Sequence, residues 1–113
     1  MQLKLELLAP AKNRDIGIAA ITCGADAVYI AGPSFGAREA AGNSLSEIAE
    51  LVEFAHKFGA KVYMTINTIV YDNELRALQN QIDEAYKIGI DAFIVQDLGV
   101  LKLNLPPIPL FAS

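Results

Sequence analysis

The sequence is poor in cysteine and has no excess of basic residues. Cys23 is the only cysteine among the 113 residues, so no disulfide framework can form within the chain, and a cytoplasmic protein is expected. Thirteen acidic side chains oppose nine basic ones, which gives a formal net charge of -4. That balance argues against phosphate-backbone binding by this segment alone, although a downstream domain could supply a basic surface.

Long apolar runs and familiar catalytic motifs are also absent. No run approaches the length of a membrane span, and Lys4 and Glu6 interrupt the apolar core that a signal peptide needs. No membrane association is therefore expected. The sequence contains no His-Glu-x-x-His, no Gly-x-Ser-x-Gly and no paired-cysteine motif. It holds no complete hydrolytic apparatus, no catalytic residue can be identified, and no metal site is expected within it.

What the sequence does contain is a repeat. Residues 24–30, 59–64 and 89–95 each begin with glycine and continue into a short apolar run. A glycine after an amphipathic stretch is typical of a left-handed helix terminus that leads into a buried strand. The glycines are 35 and 30 residues apart, close to the ~31 residues per unit of an eight-unit (β/α) barrel.

Periodicity places helices and strands between these glycines. The first helix should begin at the N-cap Asn13 and bury Ile16, Ala19, Ala20 and Cys23. The second opens with a capping-box pattern, Ser44 followed by Glu47, and the third begins near Asp72 or Asn73. Strands are predicted at residues 3–8, 27–31, 61–69 and 92–96, with a fifth starting at Ile108.

This alternation predicts an α/β fold with a parallel sheet and right-handed crossovers. We expect a TIM-barrel-like (β/α) arrangement, with residues 1–113 forming the truncated N-terminal half of one barrel domain. An open doubly wound sheet is the alternative, but no Gly-x-Gly-x-x-Gly follows the first strand. A half barrel would leave two strand edges unpaired, through which the chain could form a homo-oligomer or aggregate.

In a (β/α) barrel, substrate binds at the carboxyl ends of the strands. Thr65 and Asn67 alternate onto one side of the third strand and should face the barrel axis, where they would bind substrate or satisfy a neighbouring strand. Gln96 and Asp97 end the fourth strand and could contact substrate or water, although Asp97 could equally start a helix.

The connection after the second strand, residues 32–43, is longer than is usual between a strand and a helix. It contains Arg38, whose guanidinium could bind a carboxylate or phosphate, and Asn43, a neutral hydrogen-bond partner. A solvated surface arginine is the alternative interpretation. The predicted substrate-binding set is Arg38, Asn43, Thr65, Asn67, Gln96 and Asp97, with a peptide or a small anionic molecule as substrate.

Cys23 and His56 suggest a thiol protease, but their positions oppose it. Both fall near helix carboxyl ends, which lie on the face of a barrel opposite the active site. We expect Cys23 to be a small buried hydrophobic residue and His56 a surface residue. Neither is predicted to be catalytic.

Several segments follow the order and spacing of one known family. These are LELLAPA, GADAVY, FGAR, AGN, NT and IVQDLG at residues 5–11, 24–29, 35–38, 41–43, 67–68 and 94–99. The chain thus resembles the bacterial collagenase-like peptidases, the thirty-second family of peptidases of unknown mechanism. It departs from many members at Lys12, where they have glycine, and at Phe111, where they have histidine.

The resemblance implies an enzyme when the protein is intact. The leading interpretation is a peptidase, a hydrolase that binds substrate at the barrel mouth. The alternative is oxygen-independent hydroxylation of tRNA, rRNA or a quinone precursor, linked to prephenate and to an iron–sulfur cluster whose cysteines lie downstream. RNA contacts would then come through downstream domains. A non-catalytic binding module is a third possibility.

Overall fold

The computed structural model describes residues 5–33, 43–66, 75–95 and 103–112. These residues form an α/β fold in which strands and helices alternate. In chain order the elements are β1 (Leu8–Ala11), α1 (Arg14–Thr22), β2 (Ala27–Ala31), α2 (Leu45–Lys57), β3 (Lys61–Ile66), α3 (Leu75–Lys87), β4 (Ala92–Val95) and β5 (Leu110–Ala112).

The five strands form one parallel sheet in the order β1-β2-β3-β4-β5. In the part of the chain that the structure describes, buried residues of α1, α2 and α3 all join one core cluster on one face of this sheet. A doubly wound sheet instead reverses its strand order and carries helices on both faces. The predicted α/β class and parallel sheet are confirmed, and the sequential strand order is consistent with a sector of a barrel.

The main core fills the space between the sheet and the three helices. Its largest fully buried side chains come from every layer and include Phe93, Ile30, Met64, Leu51 and Ile82. β2 and β4 read as continuous apolar runs, as expected for strands of a parallel sheet. The opposite sheet face holds a smaller cluster of Ala27, Tyr63 and Ala92, with Tyr29 and Ile94 packed beside it.

Local signals of helix start and end are confirmed. The side chain of Asn13 accepts a hydrogen bond from the backbone N–H of Ile16 at 2.9 Å, and Ser44 caps α2 by accepting from the N–H of Glu47 at 3.2 Å. Gly24, Gly59 and Gly89 have φ values of 107°, 72° and 98°. A side chain would strain that backbone, which explains why glycine begins each repeat.

The first strand lies later in the sequence than predicted. Residues 5–7 are not part of the sheet, and Leu5 is 86% exposed. Residues 3–6 alternate between apolar and charged side chains, a pattern typical of a half-buried strand. A parallel strand that packs under a helix needs a continuous apolar stretch instead, and residues 8–11 provide it. Residues 1–4 lie outside the described part.

The buried face of α1 also differs from the prediction. The helix buries Gly17 and Ile21, whereas Ile16, Ala19 and Cys23 are exposed. Apolar residues surround this helix almost completely, so periodicity alone does not select a face. Close approach to α2 selects it, because a Cβ at Gly17 would lie 2.8 Å from a methyl carbon of Leu51.

The other predicted boundaries agree with the structure to within a few residues. β2 matches the prediction, and β5 starts two residues later than expected, at Leu110. Residues 67–69 and 96, predicted to extend the third and fourth strands, and the predicted start of α3 lie outside the described residues. None of the described helices is long and apolar enough to cross a bilayer.

Candidate functional site

The candidate site is the edge of the sheet where the parallel strands end. The described backbone at this edge includes Lys12 after β1, Gly32 and Pro33 after β2, and Thr65 near the end of β3. Side chains that lie here come from different strands, so they can converge on one ligand.

Asn43 is buried at this edge and is hydrogen-bonded to the backbone. Its Nδ2 donates to the carbonyl oxygens of Ala31 at 3.0 Å and Lys12 at 3.1 Å, and its backbone N–H donates to Ala31 at 3.3 Å. The amide therefore joins the connection after β1 to the end of β2. In this structure the donor hydrogens of Asn43 face protein carbonyl groups.

Thr65 lies beside the same end of β2. It pairs in register with Ala31 and Ile94, on the sheet face that the helices leave open, while Met64 and Ile66 are buried against the helices. Thr65 thus lies on the helix-free face of the sheet, and its role at a barrel axis stays a prediction. The backbone N–H of Gly32 donates to the carbonyl oxygen of Thr65 at 3.4 Å, so the structure brings Thr65 and Asn43 to one strand end.

Four of the predicted substrate-binding residues lie outside the described residues. They are Arg38, Asn67, Gln96 and Asp97. Sequence order places them in the connections after β2, β3 and β4, and their roles stay predictions. One buried residue at this edge was missed by sequence reasoning. Gln81 of α3 donates from Nε2 to the carbonyl oxygen of Pro33 at 2.7 Å.

The opposite edge of the sheet carries two aspartates that the sequence analysis also missed. Oδ2 of Asp26 accepts a hydrogen bond from the N–H of Leu7 at 2.9 Å. Oδ2 of Asp91 accepts one from the N–H of Val62 at 2.8 Å. The signal was present, because aspartate occupies the third position of the repeat at 24 and at 89. The carboxylate of Asp91 ties the start of β4 to β3, and that of Asp26 ties the start of β2 to the residue just before β1.

Cys23 and His56 lie at this same amino-terminal edge. Nε2 of His56 is 2.9 Å from Oδ2 of Asp91, and Cys23 caps the carboxyl end of α1. The prediction that Cys23 is buried is wrong, since it is exposed. Both residues are at helix carboxyl ends, as predicted, which places them away from the candidate site.

We expect Asp91→Ala to lower the free energy of unfolding of the intact protein by about 1.5–2 kcal/mol, because the N–H of Val62 loses its charged acceptor. Asp91→Asn keeps an oxygen that can accept this hydrogen bond, so its free energy of unfolding should fall by less than that of Asp91→Ala. Urea denaturation followed by circular dichroism measures both values. Loss of activity in a folded Asp91→Asn protein would contradict the purely stabilising role.

Tyr63 bridges the helix-free face of the sheet to the chain before β1. Its hydroxyl donates to Oε1 of Glu6 at 2.9 Å, and its ring packs edge-on against Phe111 at 5.7 Å between centroids. Burial, followed by the hydrogen bond to Glu6, raises the pKa of Tyr63 to about 12. The phenol therefore stays protonated at neutral pH and acts as a donor rather than as a base.

A cleft on the outer surface lies between α1 and α2. Its lining includes Arg14, Glu50, Phe54 and Lys57. The Arg14 guanidinium donates to the carboxylate of Glu50 and to that of Asp15, which raises the pKa of Arg14 above its ordinary value. The pair with Glu50 links α1 to α2, whereas the pair with Asp15 lies within α1. The cleft also lies on the helical side of the fold rather than at the strand ends.

The described residues do not fit an iron–sulfur cluster or another metal centre. Within these parts of the chain, no group of three or more His, Cys, Asp or Glu residues could hold a metal ion. The single cysteine is fewer than the four that a cluster takes, and it lies at the edge opposite the candidate site. No chemical step of a cluster can be assigned to this segment.

Comparison with known proteins identifies relatives of two kinds. The model of peptidase family U32 matches residues 12–113. The chain is 57% identical over 110 residues, 97% of its length, to the 23S rRNA 5-hydroxycytidine C2501 synthase of Escherichia coli. It is 41% identical over 88% of its length to tRNA hydroxylation protein P1 of Bacillus subtilis. It is 34% identical over 85% of its length to a collagenase of Porphyromonas gingivalis.

These relatives are much longer than the chain. The matched region spans 17% of the rRNA synthase and 24% of each of the other two proteins. The match to the family model begins just after β1 and covers the described elements from α1 to β5 together with the described residues of the candidate site edge.

Proposed function

Because the chain belongs to peptidase family U32, we propose that the intact protein hydroxylates a cytidine of ribosomal RNA. One observation carries this proposal: identity to the Escherichia coli rRNA synthase is 57%, against 34% to the collagenase. From the sequence resemblance alone, peptidase activity is the leading interpretation and hydroxylation the alternative. The comparisons favour the second interpretation.

We further propose that this segment forms the first half of a barrel whose mouth holds the substrate. Its strands run in sequential order with the helices on one side, and the remainder of the intact protein would supply the other strands. The helix-free face, with Tyr29, Tyr63 and Ile94, would then become the barrel interior. A location in the cytoplasm, where ribosomal RNA is modified, follows from this proposal.

Chemistry on a base requires that the base leave its stack and enter a pocket. In the proposed site, Arg38 would pair with a phosphate of the RNA. Thr65, Asn67, Gln96 and Asp97 offer hydrogen-bonding groups that could read the edges of the base, since carboxylates accept from the exocyclic amine of cytosine. Any iron–sulfur cluster and prephenate site would lie outside this segment, because a single cysteine cannot ligate a cluster.

A complementation experiment tests the proposed function. The intact protein is expressed in an Escherichia coli strain that lacks its own 23S rRNA 5-hydroxycytidine synthase, and the rRNA is digested and analysed by mass spectrometry. We expect 5-hydroxycytidine to reappear at position 2501. An unmodified cytidine despite soluble, folded protein would contradict the proposal.

Peptidase activity is the second candidate, supported by the collagenase relative. The same purified protein should then cleave casein or gelatin, with rRNA left unmodified. Absence of both activities, together with specific RNA or peptide binding, would instead favour the non-catalytic binding module.

A further inference from the structure

Two buried polar side chains stand out in the part of the chain that the structure describes. Asn43 and Gln81 are each 8% exposed, within a core that is otherwise apolar. Asn43 precedes the N-cap of α2, and Gln81 lies in the middle of α3. Burying an amide is unfavourable unless it is hydrogen-bonded, so their hydrogen bonds indicate what these residues do.

Both amides donate to backbone carbonyl groups at one place, the end of β2. Asn43 bonds Ala31 at 3.0 Å and Gln81 bonds Pro33 at 2.7 Å. Neither hydrogen bond belongs to a helix or to the sheet ladder. Secondary structure can therefore form without them, and what they add is the position of residues 31–33.

The end of β2 also contacts β3. A Cβ at Gly32 would lie 2.8 Å from Sδ of Met64, so the backbone of Gly32 rests directly on that side chain. The N–H of Gly32 also donates to the carbonyl oxygen of Thr65. The end of β2 is thus held by Asn43 just before α2, by Gln81 of α3 and by the contacts with β3.

We infer that Asn43 and Gln81 are positioning residues that hold the end of β2 in place for substrate binding. The inference rests on the proposed function, since residues 31–33 form the wall of the proposed barrel mouth. Asn43 then acts on the substrate through the backbone of β2, because its amide donors already serve Ala31 and Lys12. Gln81 acts in the same way from the helix layer.

The test is Gln81→Met in the intact protein, which keeps the side-chain length and removes the donor. Gln79→Met is the matched control. Gln79 lies on the same helix and exchanges two hydrogen bonds of 2.9 Å with the backbone of Asn104, away from β2. In rRNA modification, Gln81→Met should raise KM about five- to tenfold, the loss of roughly one hydrogen bond. Its kcat should stay within about twofold, and the control should leave KM unchanged.

Amide hydrogen exchange gives a second readout that does not depend on activity. Peptides that contain Gly32 or Asn43 should exchange faster in Gln81→Met than in Gln79→Met. Equal exchange in the two variants would overturn the positioning role of Gln81. Faster exchange in Gln81→Met with an unchanged KM would show that the position of β2 does not affect substrate binding. If the wild-type protein does not modify RNA, the proposed function has failed, whereas the exchange experiment still decides whether Gln81 positions β2.

Discussion

Replacing Phe93 with alanine should lower the free energy of unfolding of the intact protein by about 3–5 kcal/mol. Phe93 is 1% exposed and is among the largest fully buried side chains. It lies on β4 between its register partners Met64 of β3 and Leu110 of β5. Truncation would remove its apolar contacts and leave a cavity that the neighbouring strands cannot close. Urea denaturation followed by circular dichroism measures the loss.

Phe58→Ala is the matched control for this experiment. Phe58 is the C-cap of α2 and is 65% exposed, with its ring centroid 4.8 Å from that of Phe54. The same atoms are removed, but from the surface, so the expected loss is only about 0.5–1 kcal/mol, the worth of the aromatic contact with Phe54. Similar losses in the two variants would show that β4 does not lie in the core.

Arg38→Ala in the intact protein should weaken binding of the anionic substrate about 10- to 150-fold, the worth of a charge-assisted hydrogen bond of roughly 1.5–3 kcal/mol. Arg38 lies outside the described residues, so the prediction follows from the sequence alone. Arg38 is the only basic residue between positions 32 and 43. Fluorescence anisotropy with an RNA fragment that contains the target cytidine measures the affinity. The free energy of unfolding should barely change.

Arg14→Ala provides the control for charge alone. Arg14 is also near the strand ends in sequence, but it is paired with Asp15 and Glu50 at the outer surface. Such exposed ion pairs contribute little to the free energy of unfolding, so the fold of the variant should be intact. The Arg14 guanidinium is already paired with carboxylates, so RNA affinity should change by less than about threefold. Equal losses of RNA affinity in Arg14→Ala and Arg38→Ala would mean that the affinity depends on net charge alone. No loss for Arg38→Ala would identify Arg38 as a solvated surface residue.

The candidate site was predictable in part. Strand alternation placed Thr65 on the helix-free face, because side-chain direction in a strand depends only on parity. The role of Asn43 was not predictable in the same way, since its partners Lys12 and Ala31 are 31 and 12 residues away in sequence. Gln81 was missed because glutamine is usually an exposed residue, although it lies on the same helical face as the buried residues Leu78, Ile82 and Ala85. Its partner Pro33 is 48 residues away in sequence.

The sequence by itself determined the element order, the helix caps and the turns at Gly24, Gly59 and Gly89. These features depend on interactions within a few residues, which composition and spacing encode directly. Only the tertiary structure decided where β1 begins, which face α1 buries and which side chains hold the end of β2. These depend on register with β2, on the close approach of Leu51 to Gly17 and on hydrogen bonds between distant segments. Such contacts form only when strands and helices pack together, and no local pattern records them.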